Sequence, residues 1–106
     1  MANTLGTELS TALSNTTALI IATRSKVERD RLLEQQSELA GRLQLFVDEV
    51  VAKALPEYSA ATAALNEANA QAVAAKKDLD RVAETIKKFA TALDKIAALA
   101  AKVAAV

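Results

Sequence analysis

Between residues 58 and 103 the chain is written in sevens. Counting from Tyr58, every seventh residue is apolar: Leu65, Ala72, Leu79, Ile86, Leu93 and Ala100. Counting from Ala61 gives Ala68, Ala75, Val82, Phe89, Ile96 and Val103. The 50 residues from 57 to 106 hold twelve large apolar side chains and thirteen charged ones; nine of the former and none of the latter fall in these two columns. Two apolar columns repeating over seven heptads describe one stripe on an α-helix that packs against another helix, and the seven-residue period predicts a left-handed supercoil.

The rest of the chain agrees. Of 106 residues, 25 are alanine, and the residues that interrupt helices are scarce: Gly6, Gly41 and Pro56. Long runs of Ala, Leu, Glu, Lys, Gln and Arg separate them, and these are the strong helix formers. Strand-type alternation is absent, so the chain reads as one all-α domain over 1–106. In the first half, Leu32, Leu39 and Phe46 form one column, and Gln36, Leu43 and Val50 another. Upstream, Leu13, Ile20 and Val27 are also spaced by sevens, but the next step lands on Glu34. The register therefore slips between about 24 and 31. The favoured reading is one helix with a phase shift and a solvated charged face; the alternative is a new helix started by the capping box Ser25 and Glu28. Pro56 suits the first turn of a helix and pushes Leu55 out of helical geometry.

The predicted architecture is a long antiparallel hairpin of coiled-coil character. One helix runs from about 5 to 54, a turn occupies 55–57, and a second helix runs from about 57 to 105, roughly 75 Å at 1.5 Å per residue. Two such helices bury one stripe each, much of it alanine, so the hairpin alone is marginal. Self-association into a four-helix bundle or larger helical oligomer is the expected remedy. The stripe residues expected to carry that contact are Leu65, Leu79, Val82, Ile86, Phe89, Leu93, Ile96 and Val103, with Leu32, Leu39, Leu43, Phe46 and Val50 from the first half.

Composition excludes several functions. Without histidine or cysteine, the usual acid–base group and the main soft metal ligands are missing. No catalytic residues, metal site or cofactor are predicted. No glycine-rich phosphate loop exists. Thirteen basic residues balance thirteen acidic ones, and three aromatics provide no stacking platform, so no nucleic-acid partner is expected. No signal peptide or 20-residue apolar run is visible, which predicts a cytoplasmic location or export by a signal-independent route.

Charge is unevenly spread. Residues 1–23 carry only Glu8, and residues 96–106 only Lys102. In a hairpin these segments share one uncharged end, a candidate site for a protein partner. The basic cluster Arg24, Lys26, Arg29 and Arg31, and the pairs Lys76-Lys77 and Lys87-Lys88, are interleaved with acids and read as solvated faces. Gln36 in an apolar column is a candidate for fixing register, and Tyr58 for bonding a free carbonyl at the end of the first helix. In size and layout the chain is similar to small secreted helical hairpins of bacterial export systems and to needle subunits of contact-dependent secretion. It lacks the Trp-x-Gly of the former and the turn pattern of the latter, so no family is assigned. The expected function is a non-enzymatic helical interaction or self-assembly module. The second reading is a membrane-active amphipathic protein working through Phe89–Val106 as a surface coat or pore subunit.

Overall fold

A computed structural model describes residues 4–46 and 55–105. Four helices pack together: α1 (Leu5–Ala22), α2 (Lys26–Phe46), α3 (Pro56–Lys77) and α4 (Val82–Ala105), with a short 3-10 turn, Leu79–Arg81, before α4. There is no strand among the described residues. The longest dimension is 43 Å, too short for the roughly 75 Å helix that 50 unbroken residues would make. The expected continuous helix from 57 to 105 is therefore corrected: it is two helices, folded back at Asp78.

Both breaks are made by side chains. Thr23 leaves helical geometry (φ −70°, ψ 143°), while its N–H still donates to Leu19 O at 2.8 Å. Ser25 Oγ then accepts the Glu28 N–H at 3.3 Å, one half of a capping box. The Glu28 carboxylate does not return to Ser25; it accepts the Thr23 hydroxyl at 3.2 Å. Arg29 donates to the Thr23 carbonyl at 3.0 Å, which ties the link to the new helix. At the second break Asp78 is extended (φ −145°, ψ 97°), and its Oδ1 accepts the Asp80 N–H at 3.2 Å. A short polar side chain that satisfies a free N–H of the next turn is the ordinary device for starting a helix. At Pro56, Leu55 is extended and the proline occupies the first turn of α3, where its missing N–H costs nothing.

Cross-helix bonds fix the arrangement. Gln36 Nε2 donates to Thr17 Oγ1 at 2.7 Å between antiparallel α1 and α2. Lys88 Nζ reaches Glu67 Oε1 at 2.8 Å, and Thr85 donates to the Gln71 carbonyl at 3.3 Å, between antiparallel α3 and α4. Contacts between α1 and α3 advance together along both helices: Leu5 with Tyr58, Glu8 with Asn66 and Asn69, Asn15 with Asn69 and Lys76. These two helices are parallel neighbours, and α2 lies beside α4 in the same way. Both short links thus sit at one end.

The core is one cluster that includes Leu5, Leu9, Leu19, Leu32, Leu39, Leu65, Val82, Phe89, Ile96 and Leu99. On α3 the buried face is mostly alanine, namely Ala61, Ala68, Ala72 and Ala75. Small side chains let neighbouring backbones approach, and α4 supplies bulk opposite them. The inward face of α1 is Leu5, Leu9, Ala12 and Leu19, completed by Glu8, Asn15 and Thr16. The Leu13, Ile20, Val27 column lies at the edge instead: Leu13 and Ile20 are half-buried and Val27 is exposed.

Gly41 sits within α2 with space for a methyl group; a Cβ there meets nothing within 4 Å. Gly41→Ala is expected to stabilise the fold by about 0.5–1 kcal/mol by lowering the backbone entropy of the unfolded chain. Thermal melting followed by circular dichroism checks it. The Lys88–Glu67 contact has a pH signature. The hydrogen bond from Lys88, with its positive charge, holds the Glu67 carboxyl below its usual range, and the same bond holds the Lys88 ammonium above its own. The depressed carboxyl contributes stability above its unfolded range, lost as pH falls through the folded value; the raised ammonium contributes below its unfolded range, lost as pH rises through the folded value. Melting of Glu67→Gln should therefore differ from that of the parent near neutrality and converge with it in strong acid and strong base.

Candidate interaction surfaces

The heptad stripe is spent inside the chain. Leu65, Val82, Phe89, Leu93 and Ile96 are buried, as are Leu32 and Leu39 of α2. Ile86 and Val103 are half-buried against the same cluster. Leu79 is the exception: it lies in the 3-10 turn and is exposed. The side chains of Leu43 and Phe46, and Val50 altogether, lie outside the described residues. Most of the described stripe thus packs within the chain, with Ile86 and Val103 left at its edge. The uncharged segments, 1–23 with 96–106, are divided: Ile21 is exposed, but much of their apolar surface is turned inward. Within them Leu5, Leu9, Leu19, Ile96 and Leu99 all face the core.

In the segment from Phe89 onward, Phe89, Ile96 and Leu99 are enclosed in the core. Among the described residues no helix is long and apolar enough to cross a bilayer. The carbonyl expected for Tyr58, at the end of the first helix near 54, lies outside the described residues. The Tyr58 hydroxyl accepts the Leu5 N–H at 2.8 Å, satisfying a free donor at the start of α1.

A polar seam runs between α1 and α3. Glu8 is buried and accepts from Asn66 Nδ2 at 2.7 Å and from Asn69 Nδ2 at 3.3 Å. Asn69 Nδ2 also reaches the Glu8 carbonyl at 3.1 Å. Asn15 donates to Asn69 Oδ1 at 3.0 Å and accepts from Lys76 at 2.6 Å. Every buried polar atom in this seam has a partner, so it is structural.

The seam between α2 and α4 is different. Arg31, Glu34, Gln35, Glu38, Ala90, Leu93 and Asp94 line a cavity of about 170 Å³. Towards the helix starts, Val27, Glu28, Arg31, Ala83, Ile86 and Lys87 line a second of about 220 Å³. Arg31 borders both, so the two form one groove between the parallel helices. Gln35 is buried, whereas its neighbour Gln36 is half-buried at the edge of the core. Gln35 Nε2 donates to the Ile86 carbonyl at 2.9 Å. That carbonyl can only accept, which fixes the amide orientation and leaves Gln35 Oε1 buried without a donor. It is the one such side-chain atom among the described residues. An unpaired buried acceptor costs about 1–3 kcal/mol. Three carboxylates, Glu34, Glu38 and Asp94, ring the same cavity against one cation, Arg31.

Glu34 and Glu38 stand one turn apart on α2. Their convergence with Asp94 and Gln35 depends on how α4 lies beside α2, and no local pattern announces it. The arrangement offers acceptors and negative charge. It offers no nucleophile with a base beside it, and among the described residues no group of three carboxylates, histidines or cysteines is placed to hold a metal ion. No family model, curated protein or solved structure matches the chain.

Proposed function

We propose that the chain is a non-enzymatic helical interaction module whose partner-binding surface is the α2–α4 groove. The observation that carries this reading is the ring of three carboxylates, Glu34, Glu38 and Asp94, against one cation in an open seam, with the unpaired acceptor Gln35 Oε1 behind it. A Lys or Arg side chain supplies what the site lacks, namely several N–H donors and positive charge. Exposed Val27 and the outer edge of half-buried Ile86 supply apolar contact along the groove. A helix with basic residues flanking an apolar stripe matches both, in the helix-in-groove manner. A second copy of the chain is one source of such a helix. Coiled-coil-like assembly into a larger helical oligomer belongs to this same proposal, with the contact moved from the internal stripe to the groove.

The test uses a fluorescent amphipathic helical peptide with leucines on one face and lysines beside them. It should bind the chain in low salt and lose affinity to the Glu34→Gln/Glu38→Gln double variant. Gln35→Met separates binding from stability. It removes both the orphan acceptor and its paired amide, so folding stability should hold or rise by about 1 kcal/mol, while peptide binding falls. No peptide binding by the parent chain, or equal binding by all variants, sinks the groove reading. Light scattering over a hundredfold concentration range shows whether a second copy fills the groove unaided.

A further inference from the structure

The end of the molecule that carries both links combines two features that sequence order keeps apart. Because α1 and α3 run in parallel, residues 21–31 and 73–88 come to the same end. These two segments hold nine basic and five acidic residues, whereas the remainder of the sequence holds four basic and eight acidic. A chain of zero net charge is therefore polarised, with an excess of four positive charges at this end. Four of its five exposed large apolar side chains among the described residues are there too: Ile21 at 80%, Val27 at 72%, Val73 at 50% and Leu79 at 39% exposed. They stand on the last turn of α1, the first turn of α2, the last part of α3 and the 3-10 turn.

Several of the cations are available. Arg29 and Lys76 are engaged with Thr23 and Asn15, and Arg81 and Lys87 pair with neighbouring acids. Arg24 and Lys77 are exposed and make no ion pair among the described residues. Lys26 has only a 3.4 Å contact with Asp30 and is 86% exposed.

We infer that this end docks on an anionic lipid surface, with Ile21, Val27 and Leu79 entering the interfacial layer and Arg24, Lys26 and Lys77 meeting headgroup phosphates. A lipid surface accounts for both features at once. Basic side chains draw the end to negative headgroups, and short apolar side chains gain by leaving water there. The apolar residues stand on four separate elements, which suits a planar, deformable partner. A nucleic acid would use the cations and leave the apolar side chains in water. This inference concerns a different surface from the groove and does not depend on it.

The full chain should sediment with vesicles of mixed phosphatidylcholine and phosphatidylglycerol, not with phosphatidylcholine alone, and less as salt is raised. The triple variant Arg24→Gln/Lys26→Gln/Lys77→Gln should bind about a hundredfold more weakly, from roughly tenfold or less per cation. The chain lacks tryptophan, so Ile21→Trp supplies a single reporter whose emission should shift to the blue on the mixed vesicles. Ile21→Ser/Val27→Ser should weaken binding with unchanged thermal melting, since both side chains are exposed, and Glu34→Gln/Glu38→Gln should leave it undiminished. Absence of binding to the mixed vesicles, an unshifted tryptophan, or equal loss on Leu33→Ser away from this end overturns the inference. So does a fall in molar mass of Ile21→Ser/Val27→Ser without vesicles, which would assign this end to a second copy.

Discussion

Phe89→Ala is expected to cost about 3–5 kcal/mol, the range for truncating a fully buried phenylalanine. Phe89 heads the largest fully enclosed side chains and sits where α4 supplies bulk against the alanine face of α3. The alanines of the buried α3 face have no reach with which to fill the space. Small domains hold about 5–15 kcal/mol in total, so this one change removes a large share of what keeps the chain folded. For about 100 residues the melting temperature should fall by roughly 15–30 °C. Leu79→Ala is the matched control. Leu79 belongs to the same heptad stripe and would be equally buried in an unbroken helix, yet here it is exposed in the 3-10 turn. Its truncation should change stability by about 0.5 kcal/mol or less. Similar losses for the two variants, read by chemical denaturation, would contradict the fold-back at Asp78.

That contrast shows what periodicity reveals and where it stops. Apart from Leu79, the stripe residues from Ala61 to Ile96 do face inward, because a seven-residue apolar repeat records which side of a helix is dry. It does not record whether the helix continues. The link at 78–81 keeps the count of sevens intact, and neither break contains glycine or proline. Thr23, Ser25 and Asp78 end and restart helices through single hydrogen bonds, a signal as short as one residue. On α1 the inward face was obscured because three of its positions are Glu8, Asn15 and Thr16. The partners of Glu8 and Asn15, namely Asn66 and Asn69, lie more than fifty residues away. The groove and the basic apolar end are likewise products of which helices become neighbours. Gln35 and Gln36 adjoin in sequence, and only the packing of α4 distinguishes the buried one from the one at the edge.

The second large effect is expected at Asn69. Asn69→Leu removes two donors from the buried Glu8 and the acceptor of Asn15. Glu8 then keeps Asn66 alone for its carboxylate. Stranding buried polar and charged groups costs about 3 kcal/mol in such settings, more than the hydrogen bonds are worth when formed. That asymmetry makes the prediction specific: Glu8→Met/Asn69→Leu should be less destabilised than the sum of the single changes, with a coupling of about 1–3 kcal/mol. Additive losses would mean that the two residues do not act as one network. The coupling has a structural purpose. The α3 face presented to the core is a ladder of alanines, and a helix sliding along alanines by one turn exchanges one small contact for another. Hydrogen bonds tolerate no such slip, because Asn66 and Asn69 meet Glu8, and Asn69 also meets Asn15, at only one relative position of α1 and α3. A single buried polar residue can set register in this way at some cost in stability. The apolar double variant should accordingly recover stability while its amide hydrogen exchange along α1 becomes faster and more uniform, the mark of a helix that no longer occupies one register.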